Sequence, residues 1–313
     1  MNVAVTGGAG FIGSNLCRTL LDSGVEQVAV IDDLSNGSLS NLTGLDVAFT
    51  EGSILDDDAL DAAFEGADAV VHLAALGSVP RSVAEPLASH HANATGTVMV
   101  LEAARRHGNL HTVVASSSSV YGSNPVLPKH EDLATRPMSP YGGSKLATEG
   151  YTLAWGATYD MPVLAFRFFN VFGPHQPAGH VYAAVIPAFV DAALRGVPVT
   201  VHGDGTQSRD FTYVDTVTAT ITDALHRRVT SPDPVNLAFG TRTSLLEVID
   251  RLRTMTDRPI EANHVANRAG DVPHSQADNT LLRSLFPDVE PVDLDAGLVA
   301  TVEWMRGYIA AGG

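Results

Sequence analysis

Tyr141 and Lys145 are the two side chains in this sequence best suited to acid–base chemistry. They lie four residues apart in a predicted helix that begins after Pro140, so they share one helical face and the ammonium can lie beside the phenol. A free phenol has a pKa near ~10 and is a poor base at neutral pH, whereas a neighbouring positive charge favours the phenolate. Such a pair is structural in most proteins, but lysine is scarce here and the only other one is Lys129.

A run of serines supplies a second group. Residues 116–119 are all serine; they follow a predicted strand over residues 111–115 and precede Val120, Tyr121 and Gly122. A hydroxyl at the end of that strand can hydrogen-bond a substrate oxygen and pass its proton to Tyr141. The alternative is a serine-rich turn with no chemical role.

The start of the chain predicts a phosphate-binding turn. An apolar run over residues 3–6 leads into Gly7, Gly10 and Gly13, and an amphipathic segment over residues 14–21 follows. In this order Gly7 permits the tight turn, Gly10 lets the backbone approach a pyrophosphate, and Gly13 lets the helix pack closely on the strand. The helix N-terminus adds free N–H groups and the positive end of a dipole.

Asp32 selects among dinucleotides. It follows a predicted strand over residues 27–31, and a carboxylate at that point accepts hydrogen bonds from the adenosine ribose hydroxyls. The same charge repels a 2′-phosphate, and no Arg or Lys is near it in the sequence. The sequence therefore predicts NAD rather than NADP. The alternative is that Asp32 only caps the turn at residues 35–37.

The composition excludes several classes of partner. With 313 residues, 45% of them apolar, the chain can form one large or two moderate cores. A formal charge of −16 disfavours nucleic acid and anionic membrane as partners. Cys17 is the only cysteine and the 12 histidines show no ligand spacing, so we expect no disulfide and no metal. Met1 leads straight into the first strand and no apolar run approaches ~18 residues, which predicts a soluble cytoplasmic protein.

Strand and helix patterns alternate through the first half of the chain, which predicts a parallel sheet covered by helices on both faces. The remaining predicted strands are at residues 46–50, 68–72, 162–166 and 234–238. The predicted helices are at residues 56–64, 86–107, 140–159, 182–195, 213–228 and 244–256. We expect an α/β fold, with a Rossmann-type doubly wound parallel sheet and a smaller α/β C-terminal substrate lobe.

Domain boundaries follow from the change of pattern after residue 169, where prolines punctuate short segments. We assign residues 1–171, with a return segment at about 211–239, to the dinucleotide-binding domain. Residues 172–210 and 240–313 form the predicted lobe that closes over the strand ends.

As a set, the motifs resemble those of the extended short-chain dehydrogenases of the NAD-dependent epimerase/dehydratase family, and within it the UDP-hexose and UDP-N-acetylhexosamine 4-epimerases. The resemblance covers essentially the whole chain. It is carried by Gly7-x-x-Gly10-x-x-Gly13, Asp32, His72-Leu-Ala-Ala75, Ser116-Ser-Ser-Ser-Val-Tyr-Gly122, Tyr141-x-x-x-Lys145, Arg167-Phe-Phe-Asn-Val-Phe-Gly-Pro174 and Arg268-Ala-Gly-Asp271.

The resemblance implies a reaction and its catalytic residues. Tyr141 takes the proton of the sugar 4-hydroxyl while a hydride passes from C4 to tightly held NAD⁺; the flat 4-keto sugar turns over, and the hydride returns to its other face. Ser117, four residues before Tyr121, matches the family's hydroxyl residue, with Ser118 as its helper, and Lys145 holds the nicotinamide ribose. The helices at residues 86–107 and 140–159 are candidates for a four-helix homodimer interface.

The resemblance also implies the residues that bind each ligand. For NAD these are Gly7, Gly10, Phe11, Ile12, Gly13, Asp32, Asp33, Asn36, Gly37, Ser53, Ile54, Leu73, Ala74, Ala75, Tyr141, Lys145 and Phe168. For the UDP-sugar they are Ser117, Ser118, Tyr141, Asn170, Ala184, Val185, Arg209, Arg268, Asp271, Ser275 and Arg81. Arg209 and Arg268 are assigned to the diphosphate, because arginine binds it with charge-assisted bonds.

Four positions depart from the family pattern or refine it. Ser275 stands where epimerases restricted to plain hexoses have a bulky Tyr, which predicts room for a 2-N-acetyl group. Ser53 replaces the Asp that reaches the adenine, and Gly77 replaces a Lys that some epimerases use at the nicotinamide ribose. Arg81, predicted to lie on a loop facing the sugar, could pair with a uronate carboxylate and keeps a UDP-glucuronate 4-epimerase open.

Three other functions would share the fold or the cofactor. A sugar 4,6-dehydratase needs an Asp-Glu pair after the hydroxyl residue, where this chain has Ser118 and Ser119. A reductase of the same superfamily usually needs dissociable NADPH, which Asp32 disfavours. A catalytically silent NAD sensor would have no use for the combination of Ser117, Tyr141 and Lys145.

Overall fold

A seven-stranded parallel sheet forms the centre of the computed structural model, which describes residues 1–178, 183–266 and 272–312. Its strands are β1 (Asn2–Thr6), β2 (Gln27–Asp32), β3 (Val47–Glu51), β4 (Ala69–His72), β5 (His111–Ser117), β6 (Val163–Phe168) and β11 (Val235–Leu237). They lie in the order β11-β6-β5-β4-β1-β2-β3, and every neighbouring pair is parallel. The predicted doubly wound α/β sheet is therefore confirmed, and the order reverses between β1 and β4, where such sheets bind ligands.

The remaining strands are short and pair outside this sheet. They are β7 (Val171–Phe172), β8 (Val199–His202), β9 (Ser208–Arg209), β10 (Thr212–Tyr213), β12 (Thr243–Ser244) and β13 (Ala262–Val265). β7 pairs with β10 and β8 with β13 in parallel, whereas β9 and β12 are antiparallel. Residues of β7, β8 and β9 line the large cavity at the carboxyl edge of the sheet.

Helices cover both faces of the sheet and fill the second lobe. They are α1 (Phe11–Asp22), α2 (Asp57–Phe64), α3 (Val79–Ala84), α4 (Pro86–His90), α5 (Gly96–Arg106), α6 (Pro140–Tyr159), α7 (Val185–Arg195), α8 (Val214–Arg227), α9 (Leu245–Thr256), α10 (Thr280–Leu285) and α11 (Leu294–Ala310). Short 3-10 helices lie at Leu39–Leu42 and Ser118–Val120. No described helix is both long enough and apolar enough to span a bilayer.

Side chains alternate between the two faces along each strand. Val3 and Val5 pack with α1 and α8 on one face, and Ala4 packs with α2 and α5 on the other. A third cluster joins α7, α9, α11 and β8 in the second lobe. Leu282 and Phe286 near the C-terminus pack into the first of these clusters, against β11 and β6. The domain boundaries given above remain a prediction.

The prediction of one continuous α-helix over residues 86–107 is wrong in one respect. In the structure this segment is divided into α4, a π-helical turn at His91–Thr95, and α5. The carbonyl of Asn93 in this turn accepts the hydroxyls of Thr97 at 2.5 Å and Thr148 at 3.0 Å. Thr148 lies on α6, so a contact between two helices accompanies the π-helical turn. Periodicity along one segment cannot reveal such a contact.

Three helices were not predicted from the pattern, namely α3, α10 and α11. The helix predicted over residues 182–195 begins at Val185, and residue 182 lies outside the described part of the chain. α3 and α10 have only six residues each, which is too short for periodicity to detect. α11 has 17 residues, which is long enough for periodicity to indicate a helix.

Candidate active site

The first turn of α6 carries Tyr141 into the cavity at the carboxyl edge of the sheet. Ser139 is the N-cap of this helix, because its hydroxyl accepts the N–H of Gly142 at 3.0 Å, and Pro140 is the first helical residue. The N–H of Tyr141, which has no partner within the helix, donates to the Ser82 hydroxyl at 3.0 Å. The backbone that holds the phenol is therefore fixed from two sides.

Lys145, one turn further along α6, is buried below the phenol. Its Nζ donates to the carbonyl of Ala115 in β5 at 2.8 Å. Burial lowers the pKa of Lys145 to about 8. Burial also lowers the pKa of His72 to about 3, with a contribution from the charge of Lys145, so that ring stays neutral.

Ser117 lies at the end of β5, beside the Tyr141 side chain. Burial raises the pKa of Tyr141 and the Ser117 hydroxyl lowers it, with a net rise. The protein alone therefore raises the phenol's pKa. A lowering by Lys145 together with a bound nicotinamide remains a prediction.

Ser119 is a residue that the sequence reasoning missed. Its Oγ donates to Ser117 Oγ at 2.9 Å, and its N–H donates to the same oxygen at 3.2 Å. Ser117 Oγ thus receives two donors, which leaves its own proton for Tyr141 or a substrate oxygen. Ser118, the predicted helper, begins the 3-10 turn and lines the cavity, but Ser119 makes the contact to Ser117.

A buried ion pair lies beneath these groups. Glu149, four residues after Lys145, accepts Arg167 Nε at 2.8 Å, Arg167 Nη2 at 2.6 Å and Ser116 Oγ at 2.9 Å. The Arg167 and Glu149 side chains are only 4% and 5% exposed. This pair ties β6, β5 and α6 together next to Ser117, and the i,i+4 spacing from Lys145 was the sequence signal that could have found it.

The glycine turn fits a dinucleotide. Gly7 has φ +73°, and a Cβ at Gly13 would lie 2.1 Å from the Gly7 carbonyl oxygen, so neither position tolerates a side chain. A Cβ at Gly10 would meet only that same oxygen, at 3.2 Å, and α1 has no side-chain cap. The first N–H groups of α1 are therefore accessible to a phosphate.

Asp32 lies beside this turn at the end of β2. Its Oδ2 accepts the N–H of Ala9 at 3.0 Å and its Oδ1 accepts the N–H of Leu34 at 2.9 Å. Burial raises the pKa of Asp32, and the two backbone donors oppose that rise. Each oxygen keeps a second acceptor site for a ribose hydroxyl, so the predicted role of Asp32 is compatible with its geometry.

Arg209, in the second lobe, and Asn170 line the opposite wall. Pairing of β9 with β12 positions Arg209, whose Nη1 donates to the carbonyl of Ser208 at 2.9 Å. Asn170 donates to the carbonyl of Asp210 at 3.1 Å. The carboxylate of Asp210 is fully buried, and it accepts the N–H of Gly240 and of Ala277 at 3.0 Å and the Thr241 hydroxyl at 2.9 Å. Asp210 thereby connects three segments of this wall.

One cavity of about 1510 Å³ brings nearly all the predicted site residues together. The members that line it are Gly7, Gly10, Phe11, Ile12, Gly13, Asp32, Asp33, Asn36, Gly37, Ser53, Ile54, Leu73, Ala74, Ala75, Arg81, Ser117, Ser118, Tyr141, Lys145, Phe168, Asn170, Ala184, Val185, Arg209 and Ser275. Arg268 and Asp271 lie outside the described residues. His202, Gln207 and His274 also line the cavity and were not predicted.

The predicted placement of Arg81 is wrong. It lies in the helix α3 rather than on a loop, and its Nη1 donates to Asn36 Oδ1 at 3.0 Å. Asn36 belongs to the loop after β2, on the side predicted for the adenosine ribose. Arg81 therefore faces the predicted cofactor residues, and a bond to a sugar carboxylate would require it to leave Asn36.

Comparison with known proteins identifies the family. The NAD dependent epimerase/dehydratase family model matches residues 3–238. The UDP-glucose 4-epimerase of Mycolicibacterium smegmatis is 36% identical, and the match covers 98% of this chain and 99% of that protein.

Among solved structures, the UDP-glucose 4-epimerase of Thermotoga maritima with UDP-glucose has a TM-score of 0.92 at 34% identity, covering 99% of this chain and 100% of that chain. The UDP-N-acetylglucosamine 4-epimerase of Methanobrevibacter ruminantium with UDP-N-acetylmuramic acid also has a TM-score of 0.92 at 34% identity, covering 98% of both chains. The predictions of family, Rossmann-type fold and NAD as cofactor are confirmed, and this chain belongs to the NAD-dependent epimerase/dehydratase family.

Proposed function

We propose that this protein inverts C4 of a UDP-sugar through a transient 4-keto sugar, with NAD held throughout. The observation that carries the proposal is the Ser117–Tyr141–Lys145 group at the carboxyl edge of the sheet, facing the same cavity as the glycine turn. The UDP-sugar 4-epimerases found among its relatives support the same reaction.

The residues that would hold NAD lie on the first half of the sheet. The glycine turn and the N-terminus of α1 would bind the diphosphate, and Asp32 the adenosine ribose. When bound there, the nicotinamide supplies a hydride acceptor that is also the hydride donor for the return step. Lys145 would hold the nicotinamide ribose.

Ser117 and Tyr141 handle the proton of the 4-hydroxyl. Tyr141 takes this proton as the ketone forms and gives it back when the alcohol is restored. Ser117, whose oxygen already accepts two donors from Ser119, hydrogen-bonds the sugar oxygen or the phenolate with its own proton. No acid or base other than Tyr141 is needed, because the proton returns to the oxygen from which it came.

The second lobe would tether the nucleotide while the sugar turns. Arg209 lines the cavity, and Arg268 is assigned to the diphosphate from the sequence alone. Ser275 presents a small side chain at the cavity wall, with its N–H bound to the carbonyl of Ser208 at 3.0 Å. We therefore propose that UDP-GlcNAc and UDP-GalNAc are substrates in addition to UDP-Glc and UDP-Gal.

Two alternatives are weaker. UDP-glucuronate 4-epimerisation rested on Arg81, which bonds Asn36 instead of facing the sugar. A non-catalytic NAD sensor would not need Ser117, Tyr141 and Lys145 together in the cavity that holds the glycine turn.

Incubation of the purified protein with a panel of UDP-sugars, with and without added NAD, tests the proposal by NMR at C4. We expect inversion of UDP-Glc and UDP-GlcNAc without added NAD, and little or no inversion of UDP-glucuronate. No inversion of any UDP-sugar, even with NAD added, would refute an epimerase.

We also propose a homodimer through α4, α5 and α6. Leu87 on α4 is 72% exposed and Tyr151 on α6 is 42% exposed, and Val83 on the adjacent α3 is 65% exposed. Sedimentation equilibrium should give twice the chain mass, and Leu87→Glu with Tyr151→Glu should give the monomer. A monomeric native protein would contradict this arrangement.

A further inference from the structure

The contact between Arg81 and Asn36 crosses from α3 to the loop after β2. Arg81 Nη1 donates to Asn36 Oδ1 at 3.0 Å, and Arg81 Nε lies 3.5 Å from Glu85 Oε2. Both Arg81 and Asn36 line the large cavity. Within the described residues the Nη2 group of Arg81 has no hydrogen-bond partner, so the guanidinium keeps donors for a ligand.

The loop that carries Asn36 is bound directly to the glycine turn. The N–H of Ser38 donates to the carbonyl of Ala9 at 3.0 Å, and Asn41 Nδ2 donates to the same carbonyl at 2.9 Å. A Cβ at Gly37 would lie 2.9 Å from the carbonyl carbon of Ala9. Asn36 is therefore fixed beside the turn that would bind the diphosphate.

α3 holds Arg81 in position from the other side. The hydroxyl of Ser78 accepts the N–H of Arg81 at 3.2 Å. The next residue, Ser82, accepts the N–H of Tyr141 with its hydroxyl and donates to the carbonyl of Val79 at 2.7 Å. One short helix thus links the catalytic helix α6 to the loop at the glycine turn.

Arg81 is a cation among acidic side chains. Asp32, Asp33 and Glu85 line the same cavity and repel an anion, in a chain with a formal charge of −16. A diphosphate placed there needs a cation, and the planar guanidinium can bind two of its oxygens at once. The described cationic side chains of the other site residues are committed elsewhere, with Lys145 on Ala115 and Arg209 on the opposite wall.

We infer that Arg81 binds the dinucleotide rather than the sugar, and that with Asn36 it forms a strap across the cofactor cleft that slows the release of NAD. The guanidinium contacts oxygens of the diphosphate or the adjoining ribose, while Asn36 holds it over the glycine turn. This role requires only that the protein binds NAD and does not depend on which sugar it converts.

The test is the rate at which bound NAD leaves the holoenzyme, measured by chase with excess labelled NAD. Arg81→Ala should speed release about tenfold or more, since a charge-assisted bond is lost, and Arg81→Lys should have a smaller effect. Asn36→Ala should speed release too, and the double variant should add little to Arg81→Ala. Arg306→Ala, which removes the same charge from the exposed side of α11, is the matched control and should release NAD as the native protein does.

Three results would overturn the inference. One is native NAD release from Arg81→Ala, confirmed as folded by its circular dichroism. Another is an equal increase in Arg306→Ala, which would show a general effect of net charge. A third is an Arg81→Ala variant that releases NAD at the native rate but has a higher KM for UDP-glucuronate alone, which would assign Arg81 to the substrate.

Discussion

The two walls of the cavity are built in different ways. We call the side with Gly7, Asp32 and Tyr141 the cofactor wall, and the side with Arg209 and Ser275 the sugar wall. The cofactor wall belongs to a sheet of seven strands in continuous parallel register, with helices packed on both faces. The sugar wall rests on the two-residue pairs β7–β10 and β9–β12 and on the carboxylate of Asp210. Many backbone bonds maintain the first wall, whereas a few side chains maintain the second.

This difference separates the reaction from the choice of substrate. Ser117, Tyr141 and Lys145 lie on long elements, so their positions are held by the sheet and by α6. Arg209 and Ser275 lie on short segments whose sequence can change without disturbing the sheet. Changes in the cofactor wall should therefore affect stability and turnover, and changes in the sugar wall should affect KM and specificity.

Glu149→Gln should have the largest effect on stability. It leaves the Arg167 guanidinium buried without a negative charge beside it, and loss of one member of a buried pair costs about 3–5 kcal/mol. The free energy of unfolding in urea measures this loss. The double variant Glu149→Leu with Arg167→Met is the control and should lose less, because no buried charge remains. Equal loss in both variants would contradict the role given to the pair.

Asp210→Asn should loosen the sugar wall alone. The amide cannot accept all three donors, and one unsatisfied buried donor costs about 1–3 kcal/mol. We expect KM for the UDP-sugar to rise while the NAD content stays native. Asp233→Asn, an exposed position, removes the same charge and should change neither. Loss of NAD from Asp210→Asn would show that the two walls are not independent.

Ser275→Tyr should sharpen the comparison by changing specificity only. The larger side chain would fill the space proposed for the 2-N-acetyl group, so the ratio of kcat/KM for UDP-GlcNAc to that for UDP-Glc should fall more than about tenfold. Ser275→Ala should leave this ratio unchanged. An equal loss of both activities in Ser275→Tyr would refute the proposed gate.

Ser119→Ala should shift the pH dependence of turnover. Without Ser119 the Ser117 hydroxyl can turn away from Tyr141, and the phenol, whose pKa burial already raises, loses the bond that lowers it. In the proposed reaction Tyr141 is the base in its ionised form, so a higher pKa of Tyr141 moves the acid limb of kcat to higher pH, by up to about one unit for one hydrogen bond. Lys145, with a pKa of about 8, the neutral His72 and the Glu149–Arg167 pair are nearby titratable groups. Ser119→Thr should restore the native limb, and an unchanged limb in Ser119→Ala would contradict the hydrogen-bond chain.

The sequence could predict the order of strands and helices in the cofactor wall, but not the side-chain contacts within it. The order of strand, Gly7 turn and helix depends on local backbone geometry, so residue types along the chain are enough. The contact of Arg81 with Asn36 joins residues 45 positions apart, and the π-turn at His91–Thr95 is accompanied by a hydrogen bond from Thr148 on another helix. Ser119 orients the Ser117 hydroxyl through two hydrogen bonds to Ser117 Oγ, one from its N–H and one from its Oγ. These features come from tertiary packing, which composition and periodicity do not contain.

The central claim is that C4 loses and regains the same hydrogen while Tyr141 moves the hydroxyl proton. NMR of a UDP-sugar incubated in D₂O with the native protein and with Tyr141→Phe tests it most directly. We predict a C4-inverted product that retains ¹H at C4, with turnover in Tyr141→Phe reduced about 10²–10⁴-fold while its NAD content stays native. Deuterium at C4, or native turnover in Tyr141→Phe, would contradict the account.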